Sequence, residues 1–392
     1  MRNKRIGIGV IGCGNISLTY IPNFVNHYKT VEVLAVADIR QEAAEAAAKA
    51  NGIPRVLSIE EMLADPDIEI VVNLTIPAAH YEINKKILEA GKHAYCEKPL
   101  AMNLDETNEL VDLAESKGLY VTSAPDTFLG AGIQTVRKML DDGMIGKVTG
   151  FTANLCQPGN ELWHPSPEFM YKKGAGPMMD MGPYYITALV SLLGPIKEII
   201  CKCSCPQPQR MIKGKLLDVE VPTSYNGIIE FCNGAVGNIF TSFDVWQSQL
   251  PNYELYGETG AIFGTDPNMF TGQVKWFDGT AQKKRVAEFE HFQDKLMAVY
   301  GPEKATFLKD VESPFPTDSD PFLNMRGYGV ADLASALLTG RKPRLSADMS
   351  RHVVEALVGF KISSDTGRPY TMTTTCERPA VLPVGMKLWE VE

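Results

Sequence analysis

Two domains are predicted, a doubly wound parallel α/β sheet followed by an α+β unit with a large, mostly antiparallel open sheet. Three observations predict them. The 392-residue length exceeds what one ordinary core fills, and 45% apolar residues suffice for two. Up to about residue 125, short β-branched runs alternate with helical stretches, as parallel strands joined by crossover helices require. Beyond that point long runs of alternating polarity begin, and Asn233-Gly234 between two of them is a strong hairpin signal. The division therefore falls at residues 1–125 and 126–392.

In the first domain, strands are expected over 6–11, 31–37, 68–74, 93–96 and 119–122, with a weaker one near Val56. The helices between them, 41–50, 81–90 and 104–117, are stopped by Gly52, Gly91 and Gly118, where a left-handed cap is wanted. Ser58 and Glu61 have capping-box spacing and open another short helix. A helix over 133–142 precedes the alternating runs 147–155, 198–205, 224–231 and 235–243. Two late helices, 328–339 and 347–363, carry apolar residues at three- and four-residue spacing. The proline-bearing stretches 206–222 and 313–321 read as loops. The basic start, residues 1–5, superficially resembles a signal peptide, but the apolar run after it is short and broken by Gly7, Gly9, Gly12 and Gly14. It reads as a first strand and its turn.

Charged residues make up 22% of the chain and the formal net charge is −9, with no long basic run. That disfavours nucleic acid or an anionic membrane surface as a partner, and a neutral or weakly charged small molecule fits better. No run approaches the roughly 18 apolar residues of a membrane span, so a cytoplasmic protein is expected. Of eight cysteines, only Cys201, Cys203 and Cys205 cluster. Their alternate spacing puts them on one face of a strand, which suits buried thiols better than a zinc site, and no metal is expected.

Gly12-Cys13-Gly14-Asn15-Ile16-Ser17 has the form G-x-G-x-x-S between a strand and a helix. In a Rossmann unit such glycines let the backbone approach a pyrophosphate that the helix amides bind, so Gly12, Gly14, Asn15 and Ile16 are cofactor candidates. Ser17 replaces the commoner Gly or Ala at the packing position. Asp38 ends the second strand 24 residues after Gly14, where a carboxylate can accept hydrogen bonds from the adenosine ribose. It would repel a 2′-phosphate, so NAD is favoured over NADP, with Arg40 able to soften the exclusion. Glu97-Lys98-Pro99 follows the apolar run 93–96, about 85 residues after the glycine turn. A lysine fixed beside a cofactor can move a proton while the cofactor moves a hydride.

Together these motifs resemble the Gfo/Idh/MocA oxidoreductases, which include glucose–fructose oxidoreductase and inositol dehydrogenases. The resemblance covers nearly the whole chain: the glycine turn, Thr75-Ile76-Pro77-Ala78-Ala79-His80, Glu97-Lys98-Pro99, Gly174-Ala175-Gly176 and Asp180-Met181-Gly182-Pro183-Tyr184, in the family's order. It implies that Lys98 sits beside the nicotinamide and the substrate hydroxyl, that Glu97 helps hold the nicotinamide ribose, and that the loop from Thr75 to His80 lines the cofactor. Desolvation and a nearby positive nicotinamide would both lower the Lys98 pKa toward that of a general base.

Asp180 and Tyr184 are four residues apart, so a helix beginning near Asp180 would turn both into one cleft, with Gly182-Pro183 in its first turn. Asp180 would orient and charge-balance Lys98. Many family members carry His at the position of Tyr184. Others, glucose–fructose oxidoreductase and dihydrodiol dehydrogenase among them, carry Tyr, which suits a hydrogen-bond donor to the substrate oxygen better than the primary base. The aspartate that often follows three positions later is Thr187 here. Trp163 and His164, in a proline-rich loop, could grip a polyol, whereas His352 lies in an apolar helical pattern and reads as a core histidine. Thr127-Phe128 lack the basic residue that many relatives have nearby, which weakens the case for an anionic substrate.

The expected function is hydride transfer between NAD and a secondary hydroxyl or ketone of a sugar, inositol or related cyclic polyol, the substrate class coming from the resemblance. Two alternatives stay open: a redox-neutral NAD-using glycosidase or lyase, and a non-catalytic sugar and dinucleotide sensor, which the presence of Lys98 and Asp180 disfavours. Relatives pair the open faces of their second sheets, which implies a homodimer or homotetramer.

Overall fold

The computed structural model describes residues 5–318, 320 and 322–392. Residues 1–4 of the expected start, and 319 and 321 of the expected loop 313–321, lie outside the described residues.

The first sheet grows from β1 (Ile6–Ile11), whose six residues are all buried, the mark of a central strand covered on both faces. Helix α1 (Ser17–Asn26) leads to β2 (Val31–Ala37), and α2 (Gln41–Asn51) and α3 (Ile59–Ala64) lead to β3 (Ile70–Asn73). Then α4 (His80–Glu89), β4 (His93–Cys96), α5 (Leu104–Ser116) and β5 (Val121–Ser123) complete the unit. All five strands are parallel, in the order β2-β1-β3-β4-β5. The weaker strand near Val56 survives as one parallel bridge, Val36 to Val56. It sits at the edge where a doubly wound sheet carries its third strand. The caps follow their chemistry: Ser58 and Glu61 form the capping box, and Gly52 takes the left-handed conformation that ends α2.

After α6 (Ala131–Asp141) the second sheet begins with β6 (Val148–Cys156). Helices α7 (Pro177–Asp180) and α8 (Gly182–Leu193) precede β7 (Ile196–Ser204). A small hairpin, β8 (Gln209–Ile212) and β9 (Lys215–Asp218), comes before β10 (Ser224–Phe231) and β11 (Val236–Ser242). Four short strands follow, β12 (Tyr253–Gly257), β13 (Gly260–Phe263), β14 (Val274–Asp278) and, after α9 (Gly279–Ala287) and α10 (Phe292–Tyr300), β15 (Leu308–Val311). Helices α11 (Tyr328–Thr339) and α12 (Ala347–Thr366) and strand β16 (Tyr370–Thr371) close the chain. The nine-stranded order is β15-β14-β13-β12-β6-β11-β10-β7-β16, antiparallel throughout except where β6 meets β11.

Three features depart from the sequence expectation. The stretch 206–222 is not only loop, because β8 and β9 pair across Lys213 and Gly214, both at positive φ, the geometry of a tight hairpin turn. Flanking prolines hid a four-residue alternation too short to stand out. Strands β12 to β15, each of four or five residues, went unforeseen because they are too short for an alternation to stand out. Helix α9 buries no residue and α10 only Ala298, so neither shows an apolar stripe.

One buried cluster joins Ile8 and Tyr95 of the first sheet, Tyr185 of α8, Phe231 of the second sheet, and Leu333 and Leu357 of the closing helices. Helix α12 packs on both α5 and β7, so the two sheets share a core. His352 is fully buried there, its Nε2 accepting the Ile196 N–H at 2.8 Å. Among the described residues no helix is long and apolar enough to cross a membrane.

Candidate active site

The glycine turn is built to leave its front open. Gly12 has φ +100°, and a Cβ there would lie 2.7 Å from the Leu74 carbonyl group, so only glycine fits. A Cβ on Gly14 would meet nothing within 4 Å, so the surface before α1 is free. Among the described residues no protein acceptor takes the amides of Gly14, Asn15 and Ile16. Unsatisfied amides at the start of a ten-residue helix suit a pyrophosphate. Ser17 folds its hydroxyl back onto the Gly14 carbonyl at 2.6 Å and is buried, filling the packing position.

Asp38 straps this turn to β2: its two carboxylate oxygens accept the N–H groups of Cys13 at 2.7 Å and Arg40 at 2.8 Å. Each oxygen keeps a lone pair for a ribose hydroxyl. The Arg40 guanidinium approaches only to 3.7 Å and its side chain is 70% exposed. These residues fit a dinucleotide.

Thr75 donates to the Asn73 side chain at 2.6 Å, which shapes the loop after β3. His80 lies deeper than expected. Its ring is fully buried, with Nδ1 2.6 Å from the Pro99 carbonyl and Nε2 3.1 Å from that of Thr75. Burial outweighs these carbonyls and lowers its pKa. A neutral ring has one N–H, so His80 can donate to only one of these two carbonyls. Its full burial puts the side chain behind the Thr75 loop and the Lys98-Pro99 bend, away from the open surface where a cofactor would lie.

Glu97 is buried, its oxygens accepting the Tyr20 hydroxyl at 2.6 Å and the Lys98 N–H at 2.9 Å, which couples α1 to the Glu97-Lys98-Pro99 bend. Lys98 Nζ donates to Asp180 Oδ1 at 2.8 Å and to the Asp180 carbonyl at 2.5 Å, and lies 5.3 Å from the centroid of the Tyr184 ring. Asp180 ends α7, Met181 makes a one-residue break, and Pro183 sits in the first turn of α8, where its missing N–H costs nothing. The three expected side chains thus meet in one place.

The Lys98 pKa departs from the sequence expectation. Burial lowers it, but Asp180, Tyr184 and Glu97 together raise it above the usual lysine value. A carboxylate at 2.8 Å outweighs desolvation, so Lys98 in this geometry is an ammonium.

Trp163 and His164 are not brought to this cluster by any hydrogen bond or ring contact among the described residues. Trp163 is 66% exposed, and His164 stacks edge-on with Trp163 and Phe169 while its Nδ1 accepts the Ser166 N–H at 3.0 Å. The neighbouring Glu161 is anchored by Arg210 at 2.8 Å, which also pairs with Asp244.

Two residues the sequence did not single out belong to the site. Arg326 donates through Nη2 to the Tyr184 hydroxyl at 3.2 Å and to Asn268 Oδ1 at 2.7 Å. Asp126, fully buried after β5, accepts the N–H groups of Gly327 at 2.9 Å and Gly329 at 3.0 Å, and burial pushes its carboxyl up to about 6. A carboxylate just past a parallel strand's end was the one available signal for Asp126. Arg326 lies 142 residues from Tyr184 and had none.

The same chain segments match known family models: an oxidoreductase family with NAD-binding Rossmann fold, Gfo/Idh/MocA, over residues 6–124, and the Gfo/Idh/MocA C-terminal domain over residues 133–263. This chain belongs to the Gfo/Idh/MocA oxidoreductase family. Among family relatives, a dTDP-3,4-didehydro-2,6-dideoxy-alpha-D-glucose 3-reductase of Saccharopolyspora spinosa is 34% identical over 70% of this chain and 78% of its own length. An uncharacterised oxidoreductase of Schizosaccharomyces pombe is 31% identical over 50% of this chain, which spans 54%, about half, of that protein. Levoglucosan dehydrogenase, solved with NADH and levoglucosan, shares the fold at TM-score 0.76 and 19% identity, covering 95% of this chain and 100% of that one. The protein is an NAD-binding oxidoreductase whose named relatives act on sugars.

Proposed function

We propose that the protein transfers a hydride between NAD and a secondary hydroxyl or ketone of a sugar, inositol or related cyclic polyol. The observation that carries this is the meeting of Lys98, Asp180 and Tyr184 at a bend tied through Glu97 and Tyr20 to the helix behind the glycine turn. Residues 1–125 would seat the dinucleotide and 126–392 the substrate. Gly12, Gly14, Asn15 and Ile16 would hold the pyrophosphate, Asp38 the adenosine ribose, and Glu97 with the Thr75 loop the nicotinamide side. The bound nicotinamide supplies the hydride acceptor or donor.

Two of the three Lys98 N–H groups go to Asp180, leaving one for the substrate oxygen. Tyr184 supplies a second donor. A pair of donors complements a ketone oxygen and the charge that develops on it, so Lys98 gives its proton to that oxygen as the ketone becomes an alcohol. In the reverse direction the carbinol proton passes to Lys98 as free amine, and Asp180 holds the ammonium that results. Trp163 and His164 would reach a bulky substrate from the rim.

The test is nicotinamide absorbance with inositols, aldoses, keto-sugars, anhydrosugars and nucleotide-linked deoxysugars. A substrate-dependent change is expected. Product without net NADH would instead indicate redox-neutral chemistry, and no turnover by protein that binds NAD and sugar would indicate a sensor.

Because the Asp38 carboxylate is fixed beside the turn by the Cys13 and Arg40 N–H groups, NAD(H) should bind at least about tenfold tighter than NADP(H) in a fluorescence titration, through repulsion of the 2′-phosphate. Equal affinities, or a preference for NADP(H), would show that Arg40 dominates. The open face of the second sheet exposes Ile200 and Ile228 as cross-strand partners, and a homodimer or homotetramer would cover them. Light scattering at micromolar concentration should give at least twice the 43.1 kDa chain mass. A clean monomer would overturn this.

A further inference from the structure

We infer that Arg326 is a positioning residue for Tyr184: it fills the acceptor side of the phenol oxygen, so that Tyr184 offers its own O–H to the substrate oxygen and acts there only as a donor. This rests on the role proposed for Tyr184 above.

An arginine has five N–H donors and no acceptor and stays charged at any working pH. In the contact between Arg326 Nη2 and Tyr184 Oη, at 3.2 Å, the phenol oxygen must therefore accept. Lys98, an ammonium on the same ring, can likewise only donate. Among the described residues no acceptor takes the Tyr184 O–H, although the side chain is buried. A buried donor without a protein partner points to a ligand oxygen.

Arg326 is held in place on every side. Its guanidinium spans Asn268 Oδ1 at 2.7 Å and Asn324 Oδ1 at 3.1 Å, both neutral, so no paired carboxylate draws it away from Tyr184. Its own carbonyl and that of Asn324 accept from the Asn23 amide, each at 2.9 Å, and the Met325 carbonyl accepts from Tyr28. On the other flank Asp126 grips the Gly327 and Gly329 amides. Asn23 lies on α1, the helix that begins at the glycine turn, so one rigid element orders the dinucleotide seat and the loop that aims Arg326.

The test joins a spectroscopic and a kinetic measurement. Protein labelled with 3-fluorotyrosine should show a ¹⁹F resonance that Tyr184→Phe removes. Arg326→Gln should shift that resonance in substrate-free protein, while Arg326→Lys, still a pure donor, should shift it less. In turnover, Arg326→Gln should lower kcat by roughly 10- to 100-fold, as expected for a hydrogen bond to a charged group, with KM changed by less than about threefold. In the Tyr184→Phe background the same substitution should cost less than about twofold, because the group it positions is gone. An unmoved resonance, or an equal loss in both backgrounds, overturns the assignment. Because the resonance needs no substrate, it tests the contact between Arg326 and Tyr184 separately from the proposed turnover, and the kinetic comparison in the two backgrounds tests the positioning role.

Discussion

Lys98→Met should lower turnover by about 10²- to 10⁴-fold, the usual cost of removing a general acid–base group, while NAD affinity stays within about twofold of the wild type. Met keeps the length and apolar stem of the side chain. The substitution removes the proton carrier and leaves Asp180 unpaired, but Asp180 is 22% exposed and water can solvate it, so the fold should survive. Tyr184→Phe removes one hydroxyl and should cost less, about 1.5–3 kcal/mol if its bond is to a charged oxygen. The double mutant should lose less than the product of the two, because both groups act on one oxygen. Steady-state kinetics on the three variants and a binding titration check these values, and a Lys98→Met enzyme with more than half the wild-type rate would remove Lys98 from the mechanism.

Gly12→Ala should be the most damaging small change in the dinucleotide seat. Its methyl group would combine a positive φ, costing about 1–3 kcal/mol, with a contact 2.7 Å from the Leu74 backbone, which cannot yield and adds about 1–3 kcal/mol. Thermal unfolding should move down and NAD binding should be lost together. Gly14→Ala is the informative contrast. Its methyl group meets open space, so stability should change by less than about 1 kcal/mol while NAD affinity falls, because the methyl enters the pyrophosphate seat. If Gly14→Ala bound NAD like the wild type, the pyrophosphate would not sit before α1.

What the sequence shows and what it hides follow from the range of the interactions. The glycine turn, Asp38 and the five parallel strands are legible because their determinants lie within one turn or one strand. The approach of Lys98 to Asp180 could be anticipated from family order alone, and the effect of the carboxylate on the lysine could not be weighed without a distance. Desolvation looked decisive in the sequence, yet at 2.8 Å the ion pair prevails. His80 falls in the loop that should line the cofactor, but a histidine's direction depends on which carbonyls surround it, and here Pro99 and Thr75 draw it inward. Arg326, Asn268 and Asn23 converge from segments far apart in the chain. No spacing or periodicity relates them, so only the folded chain brings them to Tyr184.

The most direct measurement is the pH dependence of kcat/KM in both directions, for wild type and Lys98→Met, with one sugar alcohol and its ketone. A lysine whose pKa is raised by Asp180 keeps its proton through neutral pH and loses it only as pH climbs. Alcohol oxidation, which needs the free amine, should therefore rise with pH by up to about tenfold per unit over the alkaline range, while ketone reduction, which needs the ammonium, stays level and then falls. Because the overall reaction releases a proton, the ratio of the two directions must change about tenfold per pH unit in any variant; what Lys98→Met should lose is the alkaline break shared by the two profiles, at rates lower by about 10²- to 10⁴-fold. An alkaline break that stays at the same pH in Lys98→Met would show that another group carries the proton.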